Sequence, residues 1–104
     1  MNVFGLKEEE EQILKSIFSK YENLNKVVVY GSRAKGTFNE RSDVDLVITE
    51  SNIDRPLIGQ IISEINNSNF PYLVDLQDFS KLKNQQLIEH IHRVGKVFYN
   101  RGNL

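Results

Sequence analysis

Two short apolar runs bracket one polar segment in this chain, and that arrangement constrains the fold more than any other feature. Val27-Val28-Val29-Tyr30 leads into GSRAKGTFNERSDVD at residues 31–45, and Val44, Leu46, Val47 and Ile48 surround and follow its last carboxylates. β-Branched runs of this length, bounded by glycine and polar residues, predict buried strands. The polar segment is therefore expected to be strung between two strands, with its functional groups at strand ends.

Around these strands the pattern is helical. Ile13, Leu14, Ile17, Phe18 and Tyr21 recur at helical spacing over Glu8 to Tyr21, with Glu8 to Glu11 in the first turn, where they complement the helix dipole. Gly31 ends the first strand, and Ser32 is placed to cap a helical turn near Arg33-Ala34-Lys35. Thr37 to Arg41 reads as a loop and Asp43 to Thr49 as the second strand. Pro56 opens a helix running to about Asn67, with Leu57, Ile58, Ile61, Ile62 and Ile65 on its inner face. Tyr72 to Leu76 predicts a third strand, Lys81 to about Val94 a third long helix stopped by Gly95, and Lys96 to Tyr99 a short extended tail. Helices and strands alternating in so few residues imply an α/β (α+β) chain, a small mixed sheet with helices packed on it. No repeat or linker divides it, so residues 1–104 are expected to form one domain.

Composition narrows the function. A chain of 104 residues can close one core but leaves little room for a separate substrate domain, so a large acceptor would have to come as a partner. With a formal charge of −1 the chain lacks the basic excess of a domain that binds nucleic acid by bulk electrostatics. No apolar run approaches the roughly 20 residues of a membrane span, and no secretory signal is visible before Lys7 and the four glutamates. The absence of cysteine excludes disulfides and thiolate metal sites and is compatible with a cytoplasmic location.

The chemistry lies in the bracketed segment. Residues two apart on a strand point the same way, so Asp43 and Asp45 present their carboxylates to one face while Val44 and Leu46 face the other. Such a pair repels unless a proton or cation intervenes. Oxygen donors without His or Cys suit Mg²⁺, which is usually held by one or two carboxylates together with substrate phosphates and water. Gly31 lets backbone approach a ligand closely, and the Ser32 hydroxyl and following amides can donate to phosphate oxygens. Arg33 and Lys35 are cationic donors beside that turn, to be weighed against plain solvated surface. A third acid would complete a two-metal centre. Asp75 is the best candidate, because a charge flanked by apolar strand residues is otherwise hard to justify. Asp78 is the runner-up, with a loop or helix-cap role as its alternative. His90 and His92, two apart on a helix, point in different directions and do not read as a zinc pair; they are expected to be surface or partner-facing. Tyr30 and Tyr72 are read as core or sheet surface, with base stacking as the alternative.

On these residues the chain resembles the minimal nucleotidyltransferases of the DNA polymerase β-like superfamily, whose signature is Gly-Ser, ten residues, Asp-x-Asp. Gly31, Ser32, Asp43 and Asp45 match without a gap, and the strings GSRAKG and SDVDL look like those of MntA-type antitoxins. The likeness extends through the N-terminal helix to the closing EHIHRVGKVFY segment. The resemblance implies a polymerase β-like fold and a reaction with two Mg²⁺ ions in which ATP is attacked at its α-phosphorus and pyrophosphate leaves. It assigns Asp43, Asp45 and Asp75 to metal and catalysis, and Gly31 and Ser32 to the terminal phosphates. It further implies a HEPN-domain toxin RNase as partner, silenced by AMP placed on a tyrosine. Lys35 stands where many relatives have Arg, which keeps the charge but loses planar bidentate recognition. Two other readings stay open: a binding antitoxin that neutralises by covering its partner, and a small-molecule nucleotidyltransferase completed by a helical subunit.

Overall fold

The structure is a computed structural model and describes residues 3–101. Its elements run α1 (Glu8–Ser19), β1 (Lys26–Tyr30), α2 (Gly31–Lys35), β2 (Val44–Thr49), α3 (Arg55–Asn66), β3 (Val74–Asp78), a 3₁₀ turn (Phe79–Lys81), α4 (Gln85–Val94) and β4 (Lys96–Asn100). The strands form one mixed sheet in the order β3-β2-β1-β4. β1 is antiparallel to both β2 and β4, whereas β2 and β3 run parallel, linked by α3.

Alternation along the strands divides the sheet into two faces. Val27 and Val29 of β1, Val44, Leu46 and Ile48 of β2, Leu76 of β3 and Phe98 of β4 join Leu14, Ile17 and Phe18 of α1 and Ile61 and Ile65 of α3 in the larger core. The opposite face carries Tyr30 and Val47 against Ile91 of α4, with Val28, Phe79, Leu82, Leu87 and Val94 packed around them. α4 thus covers only part of its face. It leaves the ends of β2 and β3 nearest Gly31 to polar side chains.

Local chemistry explains where the elements differ from expectation. The strand expected over Tyr72 to Leu76 is shifted to Val74–Asp78, because the Tyr72 ring is engaged by the Arg33 guanidinium 4.5 Å from its centroid. The helix expected from Lys81 starts only at Gln85. Asp78 instead caps the 3₁₀ turn by accepting from the Ser80 amide, and the Asn84 side chain caps α4 by accepting from the Leu87 amide. α1 ends at Ser19, two residues short of Tyr21, and the second strand begins at Val44 with Asp43 just before it. Ser32 does not cap α2: the helix opens at Gly31, and Tyr30 occupies the cap position with no side-chain bond. The expected extended tail is a full strand, β4, at the sheet edge. Gly95 makes its turn possible, since a Cβ there would lie 2.5 Å from the Ile91 carbonyl oxygen and 2.8 Å from Val28.

Two arginines tie the margins together. The Arg101 guanidinium donates to the carbonyls of Ser19, Tyr21 and Leu24, and its amide to Asn25 O at 2.8 Å, so the end of β4 grips the α1-β1 connection. Arg33 is described with the site below. Among the described residues no helix is long and apolar enough to cross a membrane.

Between α1 and α3, Tyr21 donates its hydroxyl proton to Glu64, which also pairs with Lys20 at 2.8 Å. Burial, reinforced by the Glu64 carboxylate, pushes the Tyr21 phenol up to about 12. The Lys20 and Tyr21 hydrogen bonds hold Glu64 below its ordinary value. The lowered Glu64 value contributes stability that is present above the unfolded carboxylate range and is lost as pH falls through it. The raised Tyr21 value contributes stability that is complete below about 10 and is lost as pH climbs towards about 12. Unfolding midpoints measured across pH should therefore fall at both extremes. Glu64→Gln should flatten the acid limb, and Tyr21→Phe should flatten the alkaline one.

Candidate active site

The sheet register assembles the predicted acids. Tyr30, the last residue of β1, pairs with Asp45, and Asp45 in turn pairs with Asp75 across the parallel β2-β3 ladder. Paired residues on neighbouring strands face the same side, so the Asp45 and Asp75 carboxylates stand side by side on the α4 face. Asp43, two residues upstream and just before β2, is exposed, and its charge acts on Asp45. Asp78, the runner-up, is buried and spends Oδ1 on the Ser80 amide and hydroxyl. It is a cap and plays no part in the acidic cluster. Asp75 accepts from the Gln77 side chain at 3.0 Å.

This crowding has an electrostatic signature. Burial raises the Asp45 carboxyl above its ordinary value, Asp75 and Asp43 raise it further, and His90 partly opposes them. Burial, followed by the charges of Asp75 and Asp45, holds the Tyr30 phenol protonated far into the alkaline range. A carboxylate held against its own charge in this way is stabilised by any cation brought between it and its neighbours.

Gly31 forms the opposing wall. Its φ is +72°, a region that L side chains rarely adopt, and a Cβ built on it would collide with Asp45 Oδ2. The turn can lie directly on the carboxylate only because glycine stands there. Ser32 follows in the first turn of α2, half-buried, and Lys35 is exposed at its end. The Gly31 amide donates to His90 Nε2 at 3.2 Å, and the His90 imidazole meets the Tyr30 ring edge-on at 6.2 Å. His90 is therefore a site neighbour, correcting its reading as a surface residue. His92 points elsewhere, edge-on against Phe79.

Arg33 departs from its expected place at phosphate. It is 1% exposed, with Nε and Nη2 donating to the Ser42 carbonyl at 3.0 and 2.8 Å and Nη1 to the Phe4 carbonyl at 2.8 Å. Its guanidinium lies between the rings of Tyr72, at 4.5 Å, and Phe38, at 5.3 Å. A buried guanidinium is tolerated only when its donors are spent in this way. Arg33 fastens the loop before Asp43 onto the N-terminal segment and so sets where the first carboxylate starts. No sequence signal marks this, because Phe4, Ser42 and Tyr72 are brought to it only by the fold.

The donor set suits a hard divalent cation: carboxylate oxygens, mutual repulsion to be relieved, and a glycine cradle that a side chain would fill. Asp43, Asp45 and Asp75 are the residues that would hold it. Among the described residues no three His, Asp or Glu side chains already converge on an ion-binding geometry. A groove of about 1030 Å³ between α1 and α3, lined by Ile13, Ile17 and Glu64 among others, includes none of these acids.

The class defined by this fold and these acids agrees with comparison to known proteins. A family model described as Polymerase beta, Nucleotidyltransferase matches residues 12–103, and the chain belongs to that family. Three solved structures share the fold. A toxin-antitoxin structure with AMP-PNP aligns at TM-score 0.69 and 18% identity, over 88% of this chain and 74% of that one. A mutant of the MntA-HpeT toxin-antitoxin pair aligns at 0.67 and 18%, over 89% and 74%. A Sulfolobus solfataricus protein described as a nucleotidyltransferase aligns at 0.55 and 19%, over 89% and 78%. At such identities the likeness is one of fold. A search of curated proteins finds no match.

Two substitutions test the geometry. Asp45→Asn removes a charge that the folded state holds at a disadvantage, since a raised carboxyl value lowers stability as pH rises through it. The thermal midpoint at neutral pH should therefore increase, while any stabilisation by added Mg²⁺ disappears. Arg33→Met leaves the Ser42 and Phe4 carbonyls without their donors and should cost about 3 kcal/mol or more in denaturant unfolding.

Proposed function

We propose that this chain is a Mg²⁺-dependent nucleotidyltransferase that moves the AMP of ATP onto a hydroxyl of a partner toxin, and so acts as an antitoxin. The observation that carries the reading is the pairing of Asp45 with Asp75, with the Asp43 charge acting on Asp45 and Gly31 pressed against it. The two toxin-antitoxin structures that share the fold support the choice of partner. The Gly-Ser and Asp-x-Asp signature extends it to a tyrosine on a HEPN-domain toxin.

In this scheme the Gly31 turn and the Ser32 hydroxyl steady the terminal phosphates, with Lys35, exposed at the end of α2, as a further cation for them. Asp43, Asp45 and Asp75 would hold Mg²⁺, which when bound would neutralise phosphate charge and polarise the α-phosphorus. Asp75, beside Asp45 at the sheet margin, takes the proton of the incoming hydroxyl. The acceptor oxygen bonds to the α-phosphorus, the bond from that phosphorus to the bridging oxygen breaks, and pyrophosphate leaves. The rest of the protein's contribution is placement, which can supply a large share of such a barrier. The exposure of Asp43 and Asp75 fits an acceptor delivered on another molecule's surface. A cytoplasmic setting, where ATP and a toxin RNase would meet, belongs to the same reading.

Labelled ATP, Mg²⁺ and the co-encoded protein provide the test. Native chain should label the partner, and Asp43→Ala/Asp45→Ala should lower labelling at least a thousandfold, to background. Neutralisation of the partner by the double variant without label would defeat catalysis and favour a covering antitoxin. Label recovered on a metabolite would favour a small-molecule acceptor.

A further inference from the structure

We propose that His90 is a positioning residue for the phosphate-binding turn, acting through the Gly31 amide; the inference rests on the nucleotidyltransferase reading above. Gly31 is the joint between the turn and the metal carboxylates. Its φ is +72°, and the partner its amide meets is the His90 Nε2 at 3.2 Å. Glycine rotates more freely than any other residue, so a bond from outside the turn sets the Tyr30-Gly31 peptide plane. That plane determines how Gly31 Cα rests on the Asp45 carboxylate and the angle at which the Ser32 hydroxyl is presented.

His90 is itself held in place. Leu87, Ile91 and Val94 of the same helix pack on Val28, Tyr30 and Val47, and the edge-on contact with Tyr30 orients the imidazole. α4 thus reaches across the sheet to hold the turn from the same face that carries the carboxylates. The requirement is for an acceptor at the Nε2 position, which distinguishes this role from simple filling of space.

Two variants separate the alternatives. His90→Leu keeps bulk without an acceptor, and His90→Gln keeps an amide oxygen that can reach the Gly31 amide. Affinity for a non-hydrolysable ATP analogue with Mg²⁺, measured by calorimetry, should fall about tenfold in the Leu variant and stay within about twofold of native in the Gln variant. Hydrogen exchange at the Gly31 amide, followed by NMR without nucleotide, should accelerate in the Leu variant and return to native values in the Gln variant. Equal affinity and equal Gly31 protection in all three proteins would overturn the inference and leave the proposed function standing. A native protein that binds no nucleotide would overturn both. Should the Leu variant fail to fold by circular dichroism, the Gln variant decides: native-like binding and protection support the role, and rapid Gly31 exchange in it overturns the role.

Discussion

The parallel pairing of β3 with β2 is the constraint on which the rest of the site depends. A parallel neighbour needs a crossover, and α3 supplies it while burying its apolar face beneath the same strands. Because the register sets Asp75 against Asp45, like charges are brought together at a sheet margin where hydrophobic residues would have packed at no electrostatic cost. A shift of one residue would turn Asp75 into the larger core and Leu76 out of it, which the apolar pattern forbids. The fold therefore enforces the crowding, and the crowding creates the demand for a cation.

Around that pair, two contacts work at a distance. Arg33 anchors the loop leading into Asp43, and α4 presents His90 to Gly31. Both use long-range contacts to place short-range chemistry, which is why a domain of this size can present a site on one open margin. One of its faces carries the larger core and the other the acidic cluster.

Much of this was legible in the residues. The β-branched run into Gly31, the spacing of Asp43 and Asp45, and the charge at Asp75 inside an apolar stretch all follow from local patterning, and the structure sets Asp75 beside Asp45 with Gly31 against it. The helix starting at Glu8, expected to reach Tyr21 and ending at Ser19, and the strand over Lys26 to Tyr30 were equally plain. What escaped depends on chain segments far apart in sequence. Arg33 reads locally as a cation beside a phosphate turn, and only the approach of Phe4, Ser42 and Tyr72 turns it into a core residue. His90 and Arg101 lie on surfaces whose partners are named by topology alone. The start of α4 was missed for a more local reason: Asp78 and Asn84 each provide a cap, and the nearer one serves a 3₁₀ turn.

β4 also bears on how the chain reaches its native state. β1 lies inside the sheet, yet Lys26 to Val29 pair on one side with residues 96 to 100, among the last that the structure describes. During synthesis the Val27-Val28-Val29-Tyr30 run can join β2 early and must then wait with one edge of backbone donors and acceptors open until β4 and the Arg101 grip emerge. An apolar, β-branched, uncapped edge is the most adhesive surface a young chain can offer. The interval before its closure is when this protein is most exposed to misassembly, and its distant strand pairing makes that interval intrinsically slow to end.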